Sequence, residues 1–169
     1  MMQNAKDTFY EVLRGRIVAL NPYRTIVLRG VVRPGLLVEE NELVSAVDLP
    51  DCFRLQWSPG ALNVDGSMTM VTTECVMQYE TAGTGGNAGM DRGRALAAMD
   101  GELQGAVNLL PRSAQKMNYV ALASGGPAAA MATSVWWGPL VFGKTVVKND
   151  RLARTATVSV MSYQETGEL

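Results

Sequence analysis

The chain has no histidine among its 169 residues. That removes the imidazole as a base near neutral pH, as a partner for a nucleophilic serine or cysteine, and as a metal ligand. Cysteine is nearly absent too. Cys52 and Cys75 lie 23 positions apart and form no C-x-x-C pattern, so a zinc or redox role has little support. Two reduced, buried thiols are expected, able to pair only if their strands are adjacent. Charge is sparse at 18% of residues, against roughly 25% in an ordinary domain. The 15 basic and 16 acidic side chains leave a net charge of −1, which argues against a dedicated nucleic-acid binder.

Long apolar runs are missing as well. The first 20 residues carry Lys6, Asp7, Glu11, Arg14 and Arg16, so no secretory leader is expected. One stretch, 117–143, holds no charge. A membrane span needs ~20 mainly apolar residues in an unbroken helix. Gly125-Gly126-Pro127 and Gly138-Pro139 cut this run to Ala128–Trp137. No span and no membrane partner are expected. An uncharged loop at about 119–143, buried against the same chain or another subunit, fits better.

What is present suits one soluble domain over residues 1–169. A chain of this size buries ~70% of its unfolded surface and needs no disulfide or metal staple. Apolar residues make up 47%, and the counts of 17 Gly and 10 Met are high. The signs of charge are unevenly spread, with +4 over residues 1–33, −7 over 34–80 and +2 over the rest. Either the subunit presents one basic and one acidic surface, so that copies attract head to tail, or the fold brings the segments together and cancels them.

The periodicity predicts a helix over 5–20. Phe9, Val12, Leu13, Ile17 and Leu20 form its stripe, Asn4 is its cap and Pro22 its stop. A strand follows through Thr25–Leu28 and Val31-Val32, ended by Pro34-Gly35. Leu36–Val38 leads into the acidic run Glu39, Glu40 and Glu42, and 43–50 reads as a loop whose Leu43, Val44 and Val47 need cover. Cys52–Trp57 reads as a strand, Asp65-Gly66 as a turn, and Ser67–Glu80 as the longest strand, with apolar residues on both faces as if covered on both sides. A second helix is expected near 91–110, capped by Asp91, with Leu96, Met99, Leu103, Val107 and Leu110 buried. Beside that stripe Gly93, Ala97, Gly101 and Gly105 recur every fourth residue. Such a groove allows close approach by the sheet or by a neighbouring subunit, or reflects plain Gly/Ala bias. Thr145–Val147 and Leu152–Tyr163 close the chain as strands, leaving Glu165–Leu169 as a frayed tail. The class is α+β, with two main helices packed on a mixed or antiparallel sheet of four to six strands.

No catalytic constellation emerges, and no enzyme is expected. The glycine-rich Thr81–Gly89 lacks the G-K-[ST] of a phosphate loop and the G-x-G-x-x-G spacing, so it reads as a flexible loop. The acids at Glu39, Glu40, Glu42, Asp48 and Asp51 suit a solvated surface better than a paired-acid cleft. Lys144 and Lys148 read as ordinary surface residues, and Ser58-Pro59-Gly60 as a turn and not a nucleophile elbow. Trp136-Trp137 could stack on bases or sugars, but an adjacent aromatic pair in an uncharged stretch more often anchors a core or an interface.

The order of these elements resembles the tail terminator (tail-completion) proteins of long-tailed phages. The matching pieces are TFYEVLRGRIVAL, CFRLQW, SMTMVTTECVMQYE, RALAAMDGELQGAVNLL and RTATVSVMSYQE, which together run over nearly the whole chain. The glycine-rich 81–89 and the uncharged 119–143 stand outside the pattern. The resemblance implies a structural virion protein, assembled in the host cytoplasm and resident in the tail and neck. Copies would form a hexameric ring on the head-proximal end of the tail tube. The ring would end tube polymerisation and meet the head–tail connector, with DNA passing unbound through its lumen. No cofactor and no metal are implied. The subunit-interface candidates are Trp136, Trp137, Gly101, Gly105, Arg14 and Arg16, and the lumen-facing candidates are Glu39, Glu40 and Glu42. The alternatives are another neck, head-completion or tail-tube component, and a small DNA-binding module using Arg14, Arg16, Arg24, Arg29 and Arg33.

Overall fold

The computed structural model describes residues 2–42, 49–65 and 67–168. The expectations for Leu43, Val44, Val47, Asp48 and Gly66 lie outside the described residues. Helix α1 (Gln3–Leu20) buries Ala5, Thr8, Phe9, Leu13 and Ile17. It begins two residues before the expected start. Asn4 is therefore inside the first turn and is not the cap; its amide donates to Glu168 Oε1 at 3.3 Å. Leu20, expected in the buried stripe, is 53% exposed.

The expected strand at 25–32 is a hairpin, β1 (Thr25–Leu28) with β2 (Val31–Pro34). Arg29 and Gly30 take φ values of 50° and 79°. Two central residues with positive φ make the tight turn whose twist matches a two-stranded ribbon. After Gly35 alone, β3 (Leu36–Val38) runs parallel to β4 (Phe53–Trp57), with one helical turn, α2 (Glu39–Glu42), between them. Strand β5 (Ala61–Asp65) then turns back onto β6 (Met68–Thr81), which leads to α3 (Arg92–Asn108). The last elements are β7 (Ser113–Asn118), β8 (Ala129–Trp137), β9 (Val141–Phe142), β10 (Val146–Lys148) and β11 (Arg151–Tyr163).

The fold is α+β. Among the described residues nine strands form the main sheet, more than the four to six expected, in the order β3-β4-β6-β11-β8-β7. Strand β5 joins β6, and β9 and β10 join β11. The long β6–β11 pair is its spine, running in register from Thr81 opposite Leu152 to Met70 opposite Tyr163. The uncharged stretch is no loop insertion. Within it, Ala129–Trp137 is β8, which lies between β11 and β7, and Val141–Phe142 is β9. The Ala-Ala-Met-Ala-Thr-Ser start of β8 has weak strand preference and pairs with β7 alone, while Val135 and Trp136 pair with both β7 and β11.

Both long helices pack on one face of the sheet. Phe9 meets Trp137 and Trp57 edge-on, at 5.4 and 5.8 Å between ring centroids. The Trp137 indole N–H donates to the Val107 carbonyl of α3 at 2.9 Å. From Met68 to Gln78 strand β6 is therefore covered on one side only. Val71, Thr73, Cys75, Met77 and Tyr79 are buried, while Met68, Met70, Thr72, Glu74, Val76 and Gln78 lie on the open side. Both cysteines are buried free thiols. Cys75 belongs to the main core and Cys52 to a smaller cluster with Ile26 and Leu37. Burial pushes the Cys52 thiol up to about 11.

The glycine-rich segment is tied down, contrary to the flexible loop expected. The Asp91 carboxylate accepts the Thr84 N–H at 2.8 Å and the Thr84 hydroxyl at 2.7 Å. Asp91 does precede α3, but its side chain turns back to this loop instead of capping the helix. Gly83 has φ +78°, and a Cβ there would sit 2.7 Å from Asp91 Oδ1, so only glycine fits without strain.

Trp137→Ala should lower the unfolding free energy by about 3–5 kcal/mol through loss of a core aromatic. Trp136→Ala should cost under about 1 kcal/mol, as for a half-exposed position. Urea unfolding of the two variants against the parent distinguishes them; equal losses would contradict the packing described.

Candidate assembly interface

Side chains alternate across a strand, so the two adjacent tryptophans face opposite ways. Trp137 is 4% exposed and belongs to the core. It is not available as a surface contact. Trp136 is 37% exposed and stands on the uncovered sheet face. There it lies opposite Met161 in register, and its ring meets Tyr163 edge-on at 5.9 Å. Tyr163 lies opposite Met70. These four residues make an apolar patch at one end of the open face. The rest of that face is a mixed field of threonine, serine and glutamine with Val76 and the exposed Glu74. Two further apolar surfaces stand apart from it. The β1–β2 hairpin exposes Tyr23, Val27, Val31 and Val32, and β5 exposes Leu62 and Val64.

The small-residue groove of α3 faces away from the sheet. An added Cβ would meet nothing within 4 Å at Gly93 or Gly101. At Gly105 the nearest neighbour is the Leu20 side chain, 3.2 Å away. The sheet makes no close approach along this groove.

The arginines are mostly spent inside the chain. Arg16 donates to the carbonyls of Ala106, Leu109 and Pro111 at 2.9–3.0 Å, and its guanidinium lies 5.2 Å from the Trp137 ring centroid. It thereby closes the C-terminal end of α3, where helix carbonyls need outside donors. Arg24 is bound by both carboxylate oxygens of Glu102, at 2.7 and 2.8 Å. Arg33 pairs with the Glu42 carboxylate, and Arg29 donates to the Glu42 carbonyl. Arg14 is the most loosely held, 3.8 Å from Glu11. These arginines do not form one free basic face.

The acidic turn α2 is likewise partly neutralised. Glu39 accepts from the Gln56 amide and lies 4.0 Å from Arg54, and Glu42 holds Arg33. Glu40 is exposed. The uneven spread of charge is thus partly cancelled by the fold, through Arg33 and Glu42 for the first two segments, and through Glu80 with Lys148 and Arg151 for the last two. Lys148, read as a plain surface residue, anchors a carboxylate that is itself buried.

The clearest feature the sequence concealed is Lys116. It is 1% exposed in β7, and its ammonium donates to the Tyr163 carbonyl and to Glu168 Oε2, both at 2.6 Å. Glu165 accepts the N–H groups of Ala132 and Thr133 and the Thr133 hydroxyl. The expected frayed tail is therefore docked as far as Glu168. Those hydrogen bonds draw the Glu165 carboxyl below its usual range. Only the inward parity of Lys116 within its strand hinted at this. A second buried network joins three elements. Tyr79 donates to Asp100 at 2.5 Å, and Arg154 donates to the same carboxylate at 2.6 Å. Burial, then the Asp100 hydrogen bond, pushes the Tyr79 phenol up.

Among the described residues no group of Cys, Asp and Glu side chains could hold a metal ion. No helix of the described residues is long and apolar enough to cross a membrane.

Lys116→Met should destabilise the fold by about 3 kcal/mol or more, because it removes the buried ammonium that binds the Glu168 carboxylate and the Tyr163 carbonyl. It should also release the C-terminal segment to carboxypeptidase digestion, which mass spectrometry reads directly. Acid should act through Glu80 and Glu102. Burial raises both carboxyls, but the bonds from Lys148 and Arg151, and from Arg24 and Asn21, outweigh it and hold them below the ordinary 4.5. A depressed folded-state value gives stability that is full above about 4.5 and is lost as pH falls through the folded-state value. Melting temperature should therefore hold between pH 7 and about 5 and drop below that. The drop should be shallower in Glu102→Gln.

The chain matches no family model and no curated protein, so its surfaces are read from their own chemistry.

Proposed function

We propose that this chain is a structural subunit of a tailed-phage virion. Copies close into a hexameric ring that caps the head-proximal end of the tail tube. The ring ends tube growth and offers its far face to the head–tail connector. The element order supports this reading: an N-terminal amphipathic helix, strands, one long strand leading into a second helix, and a long closing strand. The observation that carries it is the uncovered sheet face with its patch of Met70, Trp136, Met161 and Tyr163. A 14-residue strand and a 13-residue strand form the centre of that face; the β1–β2 hairpin covers its β3 end, where Ile26 packs with the buried Leu37 and Cys52, and among the described residues no helix lies over the patch. A face of this kind, with separate apolar surfaces elsewhere on the subunit, suits a protein that works inside an assembly. Heterologous contacts between unlike surfaces close into rings when the rotation permits.

The mechanism is surface complementarity, with no bond made or broken. Trp136 supplies the apolar contact for which both tryptophans were candidates, and Trp137 acts indirectly by holding β8 in the core. Exposed Glu40 is the acid best placed to repel DNA in the lumen, since Glu39 and Glu42 are engaged inside the chain. Arg16 acts as a brace between helices, while Arg14, Gly101 and Gly105 remain at the surface for neighbouring subunits or the tube protein.

Negative-stain electron microscopy of the purified chain, alone and mixed with tail tubes, tests the reading. Six-fold rings, free or seated on one end of each tube, are the expected result. Trp136→Ala should reduce ring formation at least tenfold in protein concentration while leaving the melting temperature nearly unchanged. A chain that decorates tubes along their length, or that stays solitary and turns over a small molecule, would overturn the proposal.

A further inference from the structure

Three side chains from distant parts of the sequence meet beneath the C-terminal segment. Lys116 of β7 is 1% exposed, and its ammonium donates to Glu168 Oε2 at 2.6 Å. The other oxygen of that carboxylate, Oε1, accepts from the Asn4 side-chain amide at 3.3 Å. The Glu168 side chain is itself 4% exposed, and Asn4 is half-buried in the first turn of α1. One buried carboxylate thus bridges an amine and a primary amide. The other polar groups beside the amine are the Tyr163 carbonyl, at 2.6 Å, and a Glu165 oxygen, at 3.8 Å.

A buried lysine–carboxylate pair is no more stabilising than apolar residues of the same volume. Stability alone therefore does not account for this lysine, nor for an amide on the far side of its carboxylate. The arrangement is that of acyl transfer. Lysine amines are nucleophiles, a carboxylate serves as general base and acid, and here the carboxylate touches both nitrogens. In a tetrahedral adduct both nitrogens are bonded to Asn4 Cγ, separated by roughly the span of the two oxygens of one carboxylate. Burial of Lys116 and Glu168 keeps water, the competing nucleophile, out.

We propose that Lys116 and Asn4 join in an amide bond within the folded subunit, with Glu168 carrying the protons. Glu168 first takes one proton from the ammonium through Oε2 and leaves a neutral amine. Nζ then attacks Asn4 Cγ. A second proton passes from Nζ to Nδ2 by way of the carboxyl group, and the Cγ–Nδ2 bond breaks. The products are a secondary amide and one ammonia. The ammonia leaves as ammonium with the first proton, so Glu168 is restored as a carboxylate. No oxidant, metal or cofactor takes part. The bond fastens α1 to β7, which already meet where the Met117 N–H donates to the Thr8 hydroxyl. It forms inside one subunit, so neighbours still meet through surfaces alone, and it does not depend on the ring reading.

Mass spectrometry of the purified folded protein, held for a week at room temperature, tests it. The intact parent should be lighter than its sequence by one ammonia. Its tryptic digest should hold a branched peptide, the one ending at Lys6 joined to residues 113–144 and uncut after Lys116. The ordinary peptide 113–116 should fall at least tenfold. Asn4→Ala changes one half-buried polar residue, so it should keep the parent's circular dichroism, carry its full mass and give no branch. Glu168→Gln should cut the yield of branched peptide at least tenfold. A parent of full mass that is cut normally after Lys116 would overturn the proposal, whatever the variants do. So would Lys116 joined to Glu168 with loss of water, or a branch that survives Glu168→Gln at the parent's yield.

Discussion

Phe9 stands edge-on between Trp57 and Trp137, and this contact seats helix α1 on the sheet. The helix docks across β7, β8 and β11, and α3 packs beside it on the same face. One layer of helix on one sheet gives a core with a single apolar interface. It also leaves the second sheet face with little cover beyond the hairpin, whose Ile26 packs with Leu37 and Cys52 at the β3 end. Trp136 is exposed, and Met70, Met161 and Tyr163 are only half-buried, for that reason. Their exposure comes from where the helices run out and not from an unusual sequence at those positions.

The same arrangement sets the electrostatics. Charged groups caught at the margins of the helix layer cannot stay solvated, and each finds a partner from a distant part of the chain. Glu102 on α3 takes Arg24 and Asn21, which follow α1. Glu80 at the end of β6 takes Lys148 and Arg151. Lys116 takes Glu168 and the Tyr163 carbonyl. Buried ions are tolerated where the partner is close and the remaining hydrogen bonds are filled. Here they also do positional work: they fix the hairpin root, the β10–β11 turn and the C-terminus to the rim of the sheet. The edge strand β7 is managed in a related way. Its Met117 N–H donates to the buried Thr8 hydroxyl of α1 at 3.0 Å, so a helix side chain completes part of a strand edge that would otherwise face water.

Local chemistry carried much of the architecture. The apolar periods of 9–17 and 96–107 located both long helices, and the β-branched residues of 67–80 and 152–163 located the two central strands. Other elements left fainter signals. Strand β8 opens on alanines and small polar residues, β7 holds a buried lysine, and β5 is only five residues long, its Leu62 and Val64 alternating with Asn63 and Asp65 next to a turn signal. Their pairing energy comes from neighbours far away in sequence, which a window of nearby residues does not contain. The hairpin was read as one strand because Arg29 is an uncommon residue for the left-handed turn position that precedes Gly30.

The sequence by itself determined the α+β class, the two helical stripes, the long strands and the lack of imidazole chemistry, because each follows from composition or from a repeat within a few residues. Tertiary structure decided which faces are filled. Trp136 and Trp137 are neighbours in the chain, yet alternation within β8, together with both helices on one side, makes one a core residue and the other a surface residue. The partners of Lys116, Glu80 and Glu102 were decided there too, since an ion pair forms between whichever charges the packing brings within reach.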